Sequence, residues 1–221
     1  MNSNSSFLIR NEDANTILNL LGMLMPKDAV ERNMETVYYT GFESPVGTIW
    51  AASTEAGMFQ LDFARPESVF LDSIKRRIDA RIVADRDRFS TLRRMMADYF
   101  NGRKVTFEMP LDLRGTEFQK AVWRAIYRIP YGKLSSYGKL AVEVGKPKAA
   151  RAAGNAVGDN PISMVIPCHR VVRSDGSLGG YGGGLDLKCR LLGIEGVLPR
   201  PDGGKIEYPM TRDELLRYFF E

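Results

Sequence analysis

The chain has 221 residues, 44% of them hydrophobic and 26% charged. That length suits one large domain or two small ones, and that composition excludes a disordered chain. Two cysteines and one histidine exclude a disulfide scaffold, fall short of a four-ligand Cys/His zinc site, and fit a reducing compartment.

The formal net charge of +4 is unevenly spread: residues 115–196 carry 12 Lys and Arg against 6 Asp and Glu, a net +6, which leaves −2 for the rest. A contiguous positive excess is what a phosphate-neutralising surface requires, although a solvated basic face without a partner has the same composition. Residues 1–35 read as an extension, with an amphipathic helix over Ala14–Met25 that Pro26 ends. Its apolar run from Thr16 to Met25 is broken by Asn19 and is far short of the ~20 residues a membrane span needs. Glu12 and Asp13 stand where a signal peptide needs cations, so a soluble, cytoplasmic protein is expected.

From Thr36 the pattern becomes strand-like. Val37–Phe42, Thr48–Ala52 and Met58–Phe63, joined through Ser44-Pro45-Val46-Gly47 and Glu55-Ala56-Gly57, predict a small antiparallel meander. Val69, Phe70 and Ile74 predict a helix over Pro66–Ile78, with proline at its first position. Leu92, Met95, Met96, Tyr99 and Phe100 predict another over Ser90–Phe100, stopped by Asn101-Gly102. A last strand is expected at Val105–Met109, before Pro110.

Beyond Arg114 the pattern turns helical. Thr116 and Gln119 have capping-box spacing, and Phe118, Ala121, Val122, Ala125, Ile126 and Ile129 form one apolar face behind them. Ser135 or Ser136 can cap a second helix with Leu140, Ala141 and Val144 inward. A third runs from Lys148 to Val157 with a stripe of Ala150, Ala153, Gly154 and Val157 inward, which leaves Arg151 and Asn155 on other faces. Three short helices with a basic third one describe a helix-turn-helix or winged-helix module.

Chemistry concentrates after Asn160-Pro161, where a short strand over Ile162–Ile166 is expected to deliver the chain to Pro167-Cys168-His169-Arg170-Val171-Val172. A buried cysteine is ordinarily a small hydrophobe and a lone histidine a satisfied core residue. Here the single histidine of the chain directly follows one of its two cysteines. A cysteine with its reference pKa is only about 3% thiolate at neutral pH, so a nucleophilic one needs a base. His169 is the candidate, reached by a sharp backbone turn or through a water, with Glu195 a plausible group to fix its tautomer. Cys189, between Lys188 and Arg190, reads as structural. The run Gly176–Gly184 lacks a phosphate-loop ending and reads either as a linker or as a loop closing over a flat ligand with Tyr181 as its ring.

The order Pro167-Cys168-His169-Arg170-Val171-Val172, Gly180-Tyr181-Gly182-Gly183 and Glu195 resembles the O6-alkylguanine-DNA alkyltransferases, the methylated-DNA–protein-cysteine methyltransferases. The likeness extends back through Gly115-Thr116, Phe118-Gln119, Val122-Trp123, Ile129-Pro130, Gly132, Ser136-Tyr137, Arg151-Ala152, Gly154 and Asn160-Pro161. It is dense over residues 115–196 and holds only in general layout over 36–114.

The resemblance implies a two-domain α/β protein. An N-terminal extension (1–35) precedes a small ribonuclease H-like antiparallel sheet with helices (36–113), then a mainly helical winged-helix or helix-turn-helix domain (114–197) and a C-terminal extension (198–221). The tail's Asp213–Phe220 reads as helical. The implied activity is DNA repair: irreversible transfer of an alkyl group from O6-alkylguanine in double-stranded DNA to Cys168, once per molecule, after the nucleotide is flipped from the minor groove. O4-alkylthymine is a second possible substrate.

In that picture His169, Glu195, Asn160 and Tyr137 complete the catalytic set around Cys168. Arg151, Tyr137, Ala150, Ala152, Asn155 and Ser136 face DNA, and Val171, Tyr181, Gly182 and Gly183 line the base pocket. Gly182 stands where relatives often have serine and Ser163 where some have proline. No cofactor, metal or membrane partner is implied, and a monomer is expected in the cytoplasm, or in the nucleus of a eukaryote. Three other readings compete. A non-catalytic lesion binder of the same fold lacks a reason for Cys168, a winged-helix regulator leaves the Cys-His pair unexplained, and a cysteine hydrolase leaves the basic module unexplained.

Overall fold

The computed structural model describes residues 34–63, 65–198 and 218, so the expected helices at Ala14–Met25 and Asp213–Phe220 lie outside the described residues. The N-terminal half is a four-stranded sheet in the order β3-β2-β1-β4. Strands β1 (Thr36–Phe42), β2 (Ile49–Thr54) and β3 (Gly57–Phe63) form the antiparallel meander. Alternation along them, shifted by a bulge at Phe59 in β3, separates two buried faces. Val37, Ala52 and Phe59 pack with Phe70 and Ile74 of helix α1 (Glu67–Lys75). Ile49, Ala51, Met58, Leu61 and Phe63 face the larger core. Pro66 is the N-cap of α1 rather than its first helical residue.

Strand β4 (Arg81–Ala84), which the local pattern does not predict, pairs parallel with β1 and makes the sheet mixed. The expected strand at Val105–Met109 is absent: this stretch has no ladder partner, and only Leu111 beyond Pro110 bridges to Met58. Phe107 still inserts into the core, so the apolar signal there is a buried loop residue.

Helix α2 (Ser90–Phe100) buries Leu92, Met96 and Tyr99, spaced along one face. Helix α3 (Glu117–Tyr127) starts at the capping box, with the Thr116 hydroxyl accepting from Gln119 N (3.2 Å) and Gln119 Oε1 accepting from Thr116 N (2.9 Å). Its Val122, Trp123, Ala125 and Ile126 enter a core that runs without a break into Ile49, Leu61 and Tyr99 of the N-terminal half. One apolar core therefore holds both halves in a fixed relation.

Ser136 follows Ser135 in the two-residue strand β5 and caps helix α4 (Tyr137–Glu143) through its hydroxyl, which accepts from Lys139 N at 3.1 Å. Helix α5 (Ala150–Gly158) buries Ala153, Ala156 and Val157. Its inner stripe thus includes Ala156, whereas Ala150 and Gly154 are only partly covered and border the cleft described below. The small side chain of Ala156 lets Trp123 approach the backbone, where Nε1 donates to Ala156 O at 2.7 Å. Strand β6 (Val171–Val172) pairs parallel with β5, and helix α6 (Leu185–Ile194) closes the half.

Candidate active site

Helix α5 ends at Gly158, and the chain then makes a tight turn rather than the expected strand over 162–166. Ser163 bridges to Ile166, and Met164 takes φ +67°, a left-handed conformation costly for a residue with a Cβ. Asn160 braces this turn from inside, with Nδ2 donating to Ile166 O (2.8 Å) and Oδ1 accepting from Ile162 N (3.1 Å). The turn is also tied to β3, since Leu61 N donates to Pro161 O at 2.9 Å and Ser163 N to Leu61 O at 3.3 Å. It delivers Cys168, His169 and Arg170 as one turn of 3₁₀ helix, so the backbone does turn sharply at the Cys-His pair.

Cys168 lies on the floor of a cleft of about 870 Å³ and is 6% exposed. Burial pushes its thiol above the ordinary value, opposed by hydrogen bonds from the Asn160 and Ser163 side chains and by the Lys188 ammonium. At rest the group is therefore a protonated thiol. His169 is fully buried behind it, and its Nε2 lies 2.7 Å from Glu195 Oε1. An ionised carboxylate only accepts, so Nε2 carries the proton and Nδ1 keeps a free lone pair. Nδ1 is buried and has no hydrogen-bond partner among the described residues. Burial pushes the His169 pKa below its ordinary value, assisted by the Arg170 and Lys188 charges and opposed by Glu195, which leaves a neutral imidazole at pH 7.

Glu195 is held by more donors than sequence reasoning supplies. Arg170 Nε and Nη2 reach it at 2.9 and 3.0 Å, Tyr99 Oη donates at 2.8 Å, and Gly132 N donates at 3.0 Å. Its own burial opposes ionisation, but His169 and Arg170 outweigh it and keep the carboxyl well below the usual carboxylate range. Tyr99 comes from α2 in the other half of the molecule, 96 residues away, where helical periodicity marks it only as core.

Arg170 and Lys188 both counted toward the basic excess, but they are 6% and 0% exposed and cannot meet phosphates. Lys188 Nζ instead donates to Val171 O (2.6 Å) and to Leu178 O, and burial pushes its pKa down to about 8. Glu195 is buried as well, so the surface excess over residues 115–196 is about +5 rather than +6.

The cleft walls come from separate elements. Tyr137, the first residue of α4, packs on Gly154 and Gly179. A Cβ at Gly179 would stand 2.6 Å from the Tyr137 hydroxyl, and φ there is +68°, so only glycine fits. Tyr181, Gly182 and Gly183 form the opposite lip, and the Tyr181 hydroxyl is buried without a hydrogen-bond partner among the described residues.

Arg151 and Ala150 border the mouth, whereas Ala152 and Asn155 project from α5 as exposed residues outside the cleft. Ser136 is 7% exposed with its hydroxyl used as the helix cap, so its side chain is not on the outer face. Val171 is fully buried and does not line the cleft, and its carbonyl already accepts from Lys188. A carbonyl has two lone pairs, so this contact leaves one for a ligand. Cys189 is buried and unpaired in α6.

Helices α4 and α5 pack together as a helix-turn-helix pair, and a buried cysteine, histidine and carboxylate beside α5 define a DNA-binding protein with a nucleophilic centre. Family models agree. One described as "6-O-methylguanine DNA methyltransferase, ribonuclease-like domain" matches residues 37–113, and one described as "6-O-methylguanine DNA methyltransferase, DNA binding domain" matches 117–197. The chain is 43% identical over 161 residues to the methylated-DNA–protein-cysteine methyltransferase of Methanosarcina barkeri, covering 72% of this chain and 97% of that one. It is 39% identical over 165 residues to that of Haemophilus influenzae, covering 74% and 89%. The crystal structure of Mycobacterium tuberculosis OGT in complex with DNA superposes with a TM-score of 0.63 at 39% identity, covering 72% of this chain and 92% of that one. This chain belongs to the 6-O-methylguanine DNA methyltransferase family. Among the described residues no helix is long and apolar enough to cross a membrane.

Proposed function

We propose that this protein repairs DNA by moving the alkyl group of O6-alkylguanine onto Cys168, once per molecule, acting as a monomer in the cytoplasm or, in a eukaryote, the nucleus. One observation carries the reading: the thiol on the cleft floor backs onto His169 and Glu195, while Arg151 on the exposed face of α5 stands at the mouth.

The alkyl carbon of a stacked O6-alkylguanine is inaccessible, so the nucleotide leaves the duplex at a cost of a few kcal/mol. Helix α5 enters the minor groove, and Arg151 occupies the gap the base leaves. Tyr137 and the Gly179–Gly183 lip enclose the base over Cys168. His169 Nδ1 takes the thiol proton through one water, and Glu195 stabilises the imidazolium that forms. The sulfur attacks the alkyl carbon in line, and a C–S bond forms as the C–O6 bond breaks. The electron pair goes to the guanine ring, where the Tyr137 hydroxyl, donating to N3, stabilises it. The proton taken by His169 passes back through water to N1 of the guanine anion, and the products are a thioether, which water does not hydrolyse, and an unmodified guanine in the DNA strand. Asn160 acts through the turn it braces, and the Val171 carbonyl accepts from the exocyclic amine that distinguishes guanine from adenine.

The test is incubation with duplex DNA bearing radiolabelled O6-methylguanine. Label is expected on the protein up to one per molecule and none on Cys168→Ala; turnover beyond one, or label on that variant, overturns the reading. Arg151→Ala is expected to slow transfer from duplex DNA much more than transfer from the free alkylated base. Equal slowing of the two would remove Arg151 from the flipping step.

A further inference from the structure

Five arginines border the cleft that holds Cys168: Arg65, Arg76, Arg77, Arg151 and Arg173, against Asp62 and Asp159. Both aspartates are already engaged. Asp62 Oδ2 pairs with Arg65 Nε at 3.2 Å, and Asp159 Oδ2 accepts from Gln119 Nε2 at 3.0 Å. Arg151 and Arg173 belong to the C-terminal half. Arg76 and Arg77 belong to the other: they follow α1, are exposed, and make no side-chain hydrogen bond or ion pair among the described residues.

The bland explanation for cations at this place is the negative end of the α1 dipole. It accounts for one basic residue near the helix end, and Lys75 already stands in the last turn. It gives no reason for two consecutive guanidinium groups both to border a cleft whose other wall is basic. Because one core fixes the two halves to each other, the two arginine walls also keep a fixed separation.

We infer that Arg76 and Arg77 grip backbone phosphate of the DNA strand that enters the cleft, so the ribonuclease-like half takes part in holding the lesion. This rests on the DNA reading above. An extruded nucleotide keeps the phosphodiesters on both its sides, and they remain at the mouth while the base goes to the floor. Cations on one wall neutralise only the nearer one. The second wall supplies the rest, through guanidinium groups whose parallel N–H donors match phosphate oxygens. Such contacts carry no sequence information, which suits a protein that must find lesions in any context.

Counterion release makes the inference measurable. Each phosphate neutralised on duplex DNA contributes about 0.9 to the slope of log affinity against log salt. Duplex binding is measured from about 50 to about 200 mM salt for the wild type and for R76Q/R77Q. If each arginine neutralises one phosphate, the slope of the variant is shallower by about 1.8, so over this range the wild type loses about 12-fold more affinity than the variant. If the two share one phosphate, the difference is about 0.9, or about 3.5-fold. R76K/R77K restores the wild-type slope. Equal slopes for the wild type and R76Q/R77Q overturn the inference. Should R76Q/R77Q show a lowered melting temperature, the slopes are compared at a temperature where the variant is folded, with the same differences expected and equal slopes overturning the inference. Alkyl transfer by the wild type separates the two claims, because its failure removes the repair reading whatever the slopes, whereas wild-type repair with equal slopes removes only the second wall.

Discussion

Glu195→Gln is expected to lower the melting temperature by roughly 6–20 °C and to slow alkyl transfer at neutral pH by about 100-fold or more. The carboxylate accepts from His169 Nε2, Tyr99 Oη, Gly132 N and the Arg170 guanidinium. A glutamine amide has the same shape but only one accepting oxygen, and its NH₂ must face at least one of these donors. The change also strands the Arg170 charge, which is 6% exposed. Removing one partner of a buried pair costs about 3–5 kcal/mol, and for a chain of this size each kcal/mol moves the midpoint by roughly 2–4 °C.

The loss of rate has a separate cause, the loosened tautomer and orientation of His169, and a pH profile separates the two. His169 is pushed below its ordinary pKa by burial, so transfer by the wild type holds steady as the pH falls through 6.5 and declines only below. Glu195 is the group that pulls this value up, so in the variant the acid limb moves to still lower pH. An unmoved limb, at a temperature where the variant is folded, would reduce Glu195 to a packing residue. The same shift governs stability. The unfolded chain binds the histidine proton near pH 6.5 while the native state refuses it, so stability falls as pH drops from there through the lower native value.

The helices of the C-terminal half were legible because their signals are local. The reciprocal Thr116–Gln119 cap and the Ser136 cap follow from residues within one turn, as does the α2 span in the other half. What failed depends on partners far along the chain. Strand β4 reads Arg-Ile-Val-Ala, too short for a period, and exists because β1 offers it an edge. The apolar run over 162–166 looks like a strand, but its residues are buried in a turn that Asn160 and β3 hold together. In the site, the Cys-His adjacency is visible in the sequence. Tyr99, Arg170 and Gly132 as donors to Glu195 are not, because no periodicity reports a contact across 96, 25 or 63 residues. Counting charges also misassigned Arg170 and Lys188 to the surface, since composition does not distinguish a buried cation from a solvated one.

Alkylation itself is expected to destabilise the protein: the methylated form should melt roughly 2–12 °C below the free form. Cys168 is 6% exposed and its thiol meets the Asn160 and Ser163 side chains. A methyl group on sulfur adds volume where little is free and removes the S–H, and overpacking of a tight site costs about 1–3 kcal/mol. The strain has a defined route outward. Asn160 cannot move without releasing Ile166 O and Ile162 N, which hold a turn that already contains the left-handed Met164. One end of that turn is the last turn of α5, where Asn160 N donates to Val157 O at 3.3 Å, and its flank is the Leu61 pairing with the N-terminal sheet. Spending the nucleophile therefore loosens α5, the element proposed to hold DNA, and the contact between the two halves. A spent molecule that falls from the duplex frees the site for an intact one, which a single-use protein needs. Equal melting temperatures for the methylated and free proteins would show that the site absorbs the methyl group without passing strain to α5.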